Sequence, residues 1–117
     1  WIGQQNLPDN KISFVGFSQG AAMALSYAVT FPERVDRVAC ISGFLPQIDL
    51  PAAQTISLSG VKVFITHGAK DTIIPIERAH EAAAWLEAAR ADISSCQADV
   101  GHRLSANCFR KLKEFLR

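Results

Sequence analysis

Long apolar runs are absent from this sequence of 117 residues. The longest mostly apolar stretch, from Gly20 to Phe31, has about 12 residues and is interrupted by Ser26, Tyr27 and Thr30. A helix needs about 20 consecutive apolar residues to cross a bilayer. The sequence therefore predicts a protein without a membrane span.

An excess of charge of either sign is also missing. The 12 Lys and Arg residues nearly balance the 11 Asp and Glu residues, so the formal net charge is +1. Nucleic-acid binding normally requires a clustered basic surface, and we expect no nucleic-acid partner. The 49% hydrophobic and 20% charged composition is globular. Without a repeat or a polar linker, we expect one domain over residues 1–117.

Cysteine is scarce, and its three positions form no recognisable pattern. Cys40, Cys96 and Cys108 are odd in number and widely spaced, which fits neither a disulfide framework nor paired zinc ligands. We expect three reduced, buried thiols in a cytoplasmic protein and no metal site. Cys40 lies in an apolar run without a basic neighbour, which is typical of a buried thiol rather than a nucleophile.

Short apolar runs alternate with helical patterns along the chain. Four runs predict strands, at residues 11–17, 35–42, 61–66 and 93–98. Helices are predicted at 20–30, after Pro75 and after the capping residue Ser105. In the last helix we expect Phe109, Leu112 and Leu116 to face inward.

This alternation predicts an α/β fold whose mostly parallel sheet carries helices on both faces. In such sheets, chemistry is found at the carboxyl ends of the strands. Candidate functional residues are therefore those that directly follow Phe17, Ile41, Thr66 and Ala98.

The first strand ends in Gly16-Phe17-Ser18-Gln19-Gly20, which has the pattern G-x-S-x-G. This pattern is typical of a sharp strand-to-helix turn that exposes a nucleophilic serine in a strained conformation. The flanking glycines are needed because the backbone doubles back on itself at this turn. Ser18 is the predicted nucleophile.

A nucleophilic serine requires a base, and the chain offers three histidines. His80 lies within a predicted helix among charged residues, and we expect it on a solvated face. His67 follows the third strand, where a structural hydrogen bond is the favoured interpretation. His102 follows the last strand in a loop before a capped helix, from which it can reach the serine. His102 is the predicted base.

The base in turn requires an orienting carboxylate. Asp71 lies in the loop after the third strand, although a turn or capping role would also explain an aspartate there. Asp99 is the competing acid but lies only three residues before His102, and Asp49 lies in a long loop with no strand end to fix it. The choice of Asp71 gives the chain order Ser, Asp, His, which is that of α/β-hydrolases.

Four segments together resemble the carboxylesterase/phospholipase family of α/β-hydrolases, which includes the acyl-protein thioesterases. They are GFSQG at 16–20, ISGFLP at 41–46, HGAKDTIIP at 67–75 and GHRLS at 101–105. The resemblance implies that Ser18, Asp71 and His102 form a catalytic triad, and that the Gln19 backbone N–H stabilises an oxyanion. It implies small-molecule ester or acyl-thioester substrates and no cofactor. Phe44 and Leu45, which follow a strand end, are candidates for an acyl pocket, with plain loop packing as the alternative, whereas Met23 and Tyr27 are expected in the core.

The resemblance covers only the C-terminal half of the family's length, joining it in the tail of a helix at residues 1–7. We therefore expect the early strands, and the loop that supplies a second oxyanion N–H, to be missing from this chain. One edge of the 11–17 strand would then be open. We expect an N-terminal segment beyond this sequence to cover that edge, with a homodimer through the edge or a marginally stable fragment as the alternatives.

Three functions follow from these features. The first is a serine esterase, and the second is a catalytically impaired fragment that serves as a structural or binding module. The third is the C-terminal part of a prolyl-oligopeptidase-type peptidase, which shares the serine turn and the order of the triad. The SGFLP segment and the short spacing between Ser18 and Asp71 argue against the peptidase.

Overall fold

A computed structural model describes residues 11–47 and 49–117 of the chain. Its four strands form one parallel sheet in the order β1-β2-β3-β4. The strands are β1 (Ile12–Phe17), β2 (Val35–Ile41), β3 (Lys62–Gly68) and β4 (Asp92–Ala98). The helices are α1 (Gln19–Thr30), α2 (Ile76–Ala88) and α3 (Ala106–Phe115), with short 3₁₀ helices at Pro32–Arg34 and Ala53–Thr55. The predicted order of strands and helices is confirmed, whereas the predicted helix tail at residues 1–7 lies outside the described residues.

The two faces of the sheet carry separate apolar clusters. On one face Val38, Cys40 and Val63 pack with residues of α1 and α2. On the other face Ala39, Ile41 and Phe64 pack with Cys108 and Leu112 of α3. Successive side chains of a strand point to opposite faces, so a strand covered on both sides must be apolar at every position. Val38 to Ile41 are accordingly all buried.

Local signals fix the ends of the helices. α1 ends just before Phe31-Pro32, because the residue before a proline disfavours the helical conformation. α2 begins directly after Pro75. At the start of α3 the Cys108 N–H donates to Ser105 Oγ at 3.1 Å, which confirms the predicted cap.

The inward stripe of α3 differs from the predicted one. Cys108 and Leu112 are buried and Phe115 packs against the same cluster, whereas Phe109 is 47% exposed and Leu116 is also exposed. The stripe is rotated by one residue because α3 approaches the sheet through Cys108. The outward ring of Phe109 instead lies beneath Lys113 Nζ, 5.2 Å from the ring centroid.

The prediction of three reduced cysteines is wrong for two of them. Cys96 of β4 and Cys108 of α3 form a disulfide, with 5.6 Å between their Cα atoms. Twelve positions separate the two cysteines, and only the packing of α3 on β4 brings them together. Cys40 is free and buried, as expected.

Within the part of the chain described, β1 pairs with β2 alone. The same part of the chain contains no helix that is both long and apolar enough to cross a bilayer.

Candidate active site

Ser18 occupies a strained turn between β1 and α1. Its φ of 55° and ψ of −117° place it in a region that residues other than glycine rarely adopt. The Ser18 N–H donates to the Ile41 carbonyl at the end of β2, at 2.8 Å. A Cβ atom at Gly16 would lie 2.6 Å from the Ala21 nitrogen, so only glycine allows the turn to close this tightly. The serine is thus held firmly at the carboxyl end of the sheet.

His102 lies between Ser18 and Asp71 and contacts both. Its Nδ1 is 2.6 Å from Asp71 Oδ2, and its Nε2 is 3.2 Å from Ser18 Oγ. Since an ionised carboxylate can only accept, Nδ1 donates to Asp71. In the neutral ring Nε2 then carries the lone pair and accepts a hydrogen bond from the Ser18 hydroxyl. This arrangement allows the imidazole to take the serine proton.

Asp71 is fully buried and well supplied with donors. Its Oδ1 accepts from the N–H groups of Ile73 and Ile74, each at 2.8 Å. Burial by itself raises the pKa of the carboxyl group, but hydrogen bonds from His102, Ile74 and Ile73 and the charge interaction with His102 lower it, and the net pKa lies below its ordinary value. Asp71 is therefore ionised at neutral pH and can stabilise a protonated His102.

A close contact between two loops brings the acid and the base together. The N–H groups of Ala69 and Lys70, in the loop after β3, donate to the carbonyls of Ala98 and Val100 at 2.7 and 2.9 Å. A Cβ atom at Gly68 would lie 2.1 Å from the Gly101 carbonyl oxygen, so a larger residue would separate the loops. Gly68 thereby controls the distance between Asp71 and His102.

His102 has a ring contact that the sequence did not predict. The ring centroid of Phe17 lies 5.0 Å from that of the imidazole, and Phe17 is 43% exposed. The position of Phe17 directly before the serine does not predict this contact, because Phe17 and His102 are 85 positions apart in the sequence.

The competing residues lie away from the site or fill other roles. Asp99 is 77% exposed and pairs with Lys70 Nζ at 3.3 Å. His80 is exposed on α2, with its Nε2 3.3 Å from Gln97 Oε1. Asp49 is exposed in the loop after β2. His67, by contrast, is buried beside Asp71, with its Nε2 3.3 Å from Asp71 Oδ2.

An apolar groove of about 520 Å³ begins beside the serine turn. Gln19, Met23 and Tyr27 of α1 line it together with Phe44 and Pro46. The core placement expected for Met23 and Tyr27 is wrong for Met23, which is largely exposed in the groove because it lies on the side of α1 away from the sheet; Tyr27 is half-buried and packs against the core.

Leu45 does not line this groove. It is 1% exposed and belongs to the core cluster that also contains residues of α1 and β2. The prediction of a substrate contact is therefore not supported for Leu45, whereas Phe44 lies in the groove with the Arg78 guanidinium 5.0 Å from its ring centroid.

Other chemistries find little support among the described residues. Burial raises the pKa of the Cys40 thiol to about 12, and a weaker backbone hydrogen bond at Gly43 opposes this change. Cys40 is therefore protonated at neutral pH and a poor nucleophile. Residues 11–47 and 49–117 hold no cluster of three or more His, Cys, Asp and Glu side chains that is suited to a metal ion.

This chain is similar to proteins of one known family. Residues 2–117 match the family model described as phospholipase/carboxylesterase. Acyl-protein thioesterase 1 of Kluyveromyces lactis is 38% identical over 82 residues, which are 68% of this chain and 36% of that protein. Acyl-protein thioesterase 1 of Saccharomyces cerevisiae is 33% identical over 76 residues, which are 62% of this chain and 32% of that protein.

Solved structures show the same fold. The Bacillus cereus carboxylesterase superposes with a TM-score of 0.82 at 26% identity, covering 93% of this chain and 50% of the esterase. The Zea mays acyl-protein thioesterase 2 gives a TM-score of 0.73 at 22% identity, covering 94% of this chain and 56% of that protein. The chain thus spans about a third to a half of the length of these relatives. It has an α/β-hydrolase fold and belongs to the phospholipase/carboxylesterase family.

Proposed function

We propose that this chain carries the catalytic residues of a serine esterase that hydrolyses carboxylic esters or thioesters. The observation that supports the proposal is the unbroken path from Ser18 Oγ through His102 to Asp71, with contacts of 3.2 and 2.6 Å. Three residues from three strand ends converge in the chain order typical of α/β-hydrolases.

In the proposed reaction His102 Nε2 takes the Ser18 proton while the oxygen attacks the substrate carbonyl carbon. Asp71 stabilises the imidazolium that forms. His102 then gives the proton to the departing alcohol or thiol, which leaves an acyl group on Ser18. Water, activated by the same histidine, releases the acid.

The Gln19 backbone N–H is the proposed oxyanion donor. Gln19 is the first residue of α1, so its N–H belongs to the first turn, whose donors have no partner within the helix. The positive end of the helix dipole favours the developing negative charge. A single missing donor costs roughly 3–4 kcal/mol of transition-state stabilisation, and the resemblance implies a second N–H from a loop that precedes β1 in the whole fold.

The acyl group is proposed to enter the groove that Gln19 and Phe44 line. Its apolar lining and volume of about 520 Å³ suit a short or medium acyl chain. The names of the relatives, carboxylesterase and acyl-protein thioesterase, support the same class of substrate.

Hydrolysis of p-nitrophenyl butyrate by the chain, with Ser18→Ala beside it, tests the proposal. We expect turnover by the parent that the variant lacks, with the same melting temperature for both. Equal hydrolysis by the two proteins would remove Ser18 from the mechanism.

A catalytically impaired structural or binding module is the second candidate. It is favoured by the oxyanion donors, since Gln19 provides the single backbone N–H proposed for that role among residues 11–47 and 49–117. A folded parent that binds a butyrate ester without turnover would support it. The peptidase alternative is disfavoured by the match to the phospholipase/carboxylesterase model.

Two cellular compartments are candidates for this protein. The sequence favours the cytoplasm, whereas disulfides such as Cys96–Cys108 persist mainly in oxidising compartments. Acid quenching of the cells that make the protein, followed by alkylation of the unfolded chain and mass measurement, distinguishes the two. Three alkylated thiols would support the cytoplasm, and one would place the protein in an oxidising compartment.

A further inference from the structure

We propose that His67 is a positioning residue that holds Asp71 in place for His102, an inference that rests on the proposed function. His67 lies in β3, so the sheet fixes its backbone. Its side chain is 3% exposed, and it is not among the three residues of the proposed triad. A rigid, buried polar side chain next to the acid requires a physical reason.

The hydrogen bonds of His67 define which of its ring nitrogens donates. Nε2 lies 2.7 Å from the Ile74 carbonyl oxygen, which can only accept, so Nε2 carries a proton. Nδ1 is buried and has no hydrogen-bond partner among the described residues. A proton on Nδ1 would have no acceptor among the described residues. The N–H of Nε2 is directed at Ile74 and lies near Asp71.

The Nε2 N–H of His67 is placed to influence both oxygens of the Asp71 carboxylate. Nε2 lies 3.3 Å from Oδ2, the oxygen that also accepts from His102. The Ile74 residue whose carbonyl it holds donates its own N–H to Oδ1 at 2.8 Å. His67 thus ties the end of the 71–74 loop to β3 and places a positive dipole beside the carboxylate.

The unpartnered Nδ1 argues against a purely structural role. An apolar side chain of similar size would fill the same volume without burying an unsatisfied nitrogen. Such a side chain could not donate to Ile74 or approach Asp71 as a dipole. His67 therefore positions Asp71, while its buried, unpartnered Nδ1 lowers the stability of the fold.

Three variants of the full chain test this role. His67→Phe keeps a ring but removes the donor, and His67→Gln places an amide N–H near the position of Nε2. The control is His80→Phe, because His80 is exposed and does not contact Asp71. Misplacement of a catalytic group by about 1 Å lowers turnover on the order of 10²-fold.

We expect His67→Phe to lower kcat for p-nitrophenyl butyrate by about that factor with little change in KM, because the acyl groove is untouched. His67→Gln should regain most of the loss, and His80→Phe should equal the parent. A parent-like kcat in His67→Phe, or a folded His67→Gln variant no better than Phe, would overturn the proposal. If the Phe variant does not fold, His67→Met replaces it, since methionine adapts to irregular space.

A readout without turnover separates this proposal from the esterase proposal. The proton that His102 Nδ1 shares with Asp71 gives a low-field ¹H NMR resonance, followed with ¹⁵N-labelled histidine. We expect that resonance in the parent, in His67→Gln and in His80→Phe, and its loss or broadening in His67→Phe. If the parent shows no turnover, the esterase proposal fails while this comparison still tests His67; an unchanged resonance in the Phe variant would refute it.

Discussion

At the scale of single residues, the geometry of the site depends on positions with unusual backbone angles or with no room for a side chain. Ser18 carries a positive φ, and Gly16 and Gly68 leave no room for a Cβ atom. Such strain persists only where the surrounding structure holds it. The ladder between β1 and β2 and the Ser18–Ile41 hydrogen bond provide that support.

The choice of acid is testable with two substitutions. We expect Asp71→Asn to lower kcat/KM on the order of 10⁴-fold, because an amide no longer fixes the tautomer of His102 or stabilises its protonated form. Asp99→Asn should change it by about twofold at most, since its partner Lys70 is itself exposed. The measurement is ester hydrolysis, and the reverse ranking would move the acid to Asp99.

The spacing of the two loops predicts different effects for neighbouring glycines. In Gly68→Ala the new Cβ would lie 2.1 Å from the Gly101 oxygen, so the loops must move apart. We expect a loss of about 1–3 kcal/mol in the free energy of unfolding and a fall in kcat on the order of 10²-fold.

Gly101→Ala is the matched control for this prediction. Its Cβ would meet only the Lys70 oxygen at 3.9 Å, an ordinary contact. Denaturant unfolding and ester hydrolysis of both variants check the contrast. Similar effects of the two substitutions would contradict the role assigned to Gly68.

At the scale of elements, the disulfide joins β4 to α3 across the loop that carries His102. Cys96 and Cys108 both belong to the cluster under α3, so the bond adds to apolar packing. Residues 97–107, which the bond encloses, contain His102 and the Ser105 cap. The bond therefore limits how far His102 can move relative to β4 and α3.

We expect the double variant Cys96→Ser/Cys108→Ser to lose about 3 kcal/mol in the free energy of unfolding, because a loop of this length gains that much freedom in the unfolded chain. Thermal unfolding with and without a reductant checks this. The parent and Cys40→Ala should melt at a lower temperature in reductant, whereas the double variant should not respond. A parent that ignores the reductant would show that the bond does not contribute.

At the scale of the whole molecule, β1 is the outermost strand of the sheet in residues 11–47 and 49–117. An edge strand presents unpaired N–H and C=O groups that can pair with another chain. Phe17 at the end of β1 and Met23 of α1 are exposed apolar side chains. Because of these features, we still predict that the chain forms a dimer through β1.

Sedimentation velocity over a range of protein concentrations tests that prediction. We expect the sedimentation coefficient to rise with protein concentration from that of a monomer to that of a dimer. Pairing of β1 with β1 would cover the open edges of both chains at once. A single monomeric species at every concentration would contradict it.

The sequence by itself determined the element order, the family and the three candidate residues at strand ends. Apolar periodicity, prolines and the Ser105 cap act within a few residues, so they could be interpreted locally. Only the tertiary structure decided which face of α3 turns inward, that Cys96 bonds Cys108, and that Leu45 is core while Phe44 lines a groove. The contacts of Phe17 with His102 and of His67 with Asp71 also depend on how the elements pack. Such contacts join residues through space rather than along the chain. Although His67 lies only four residues before Asp71, their side chains meet only because of the way the loop between them folds.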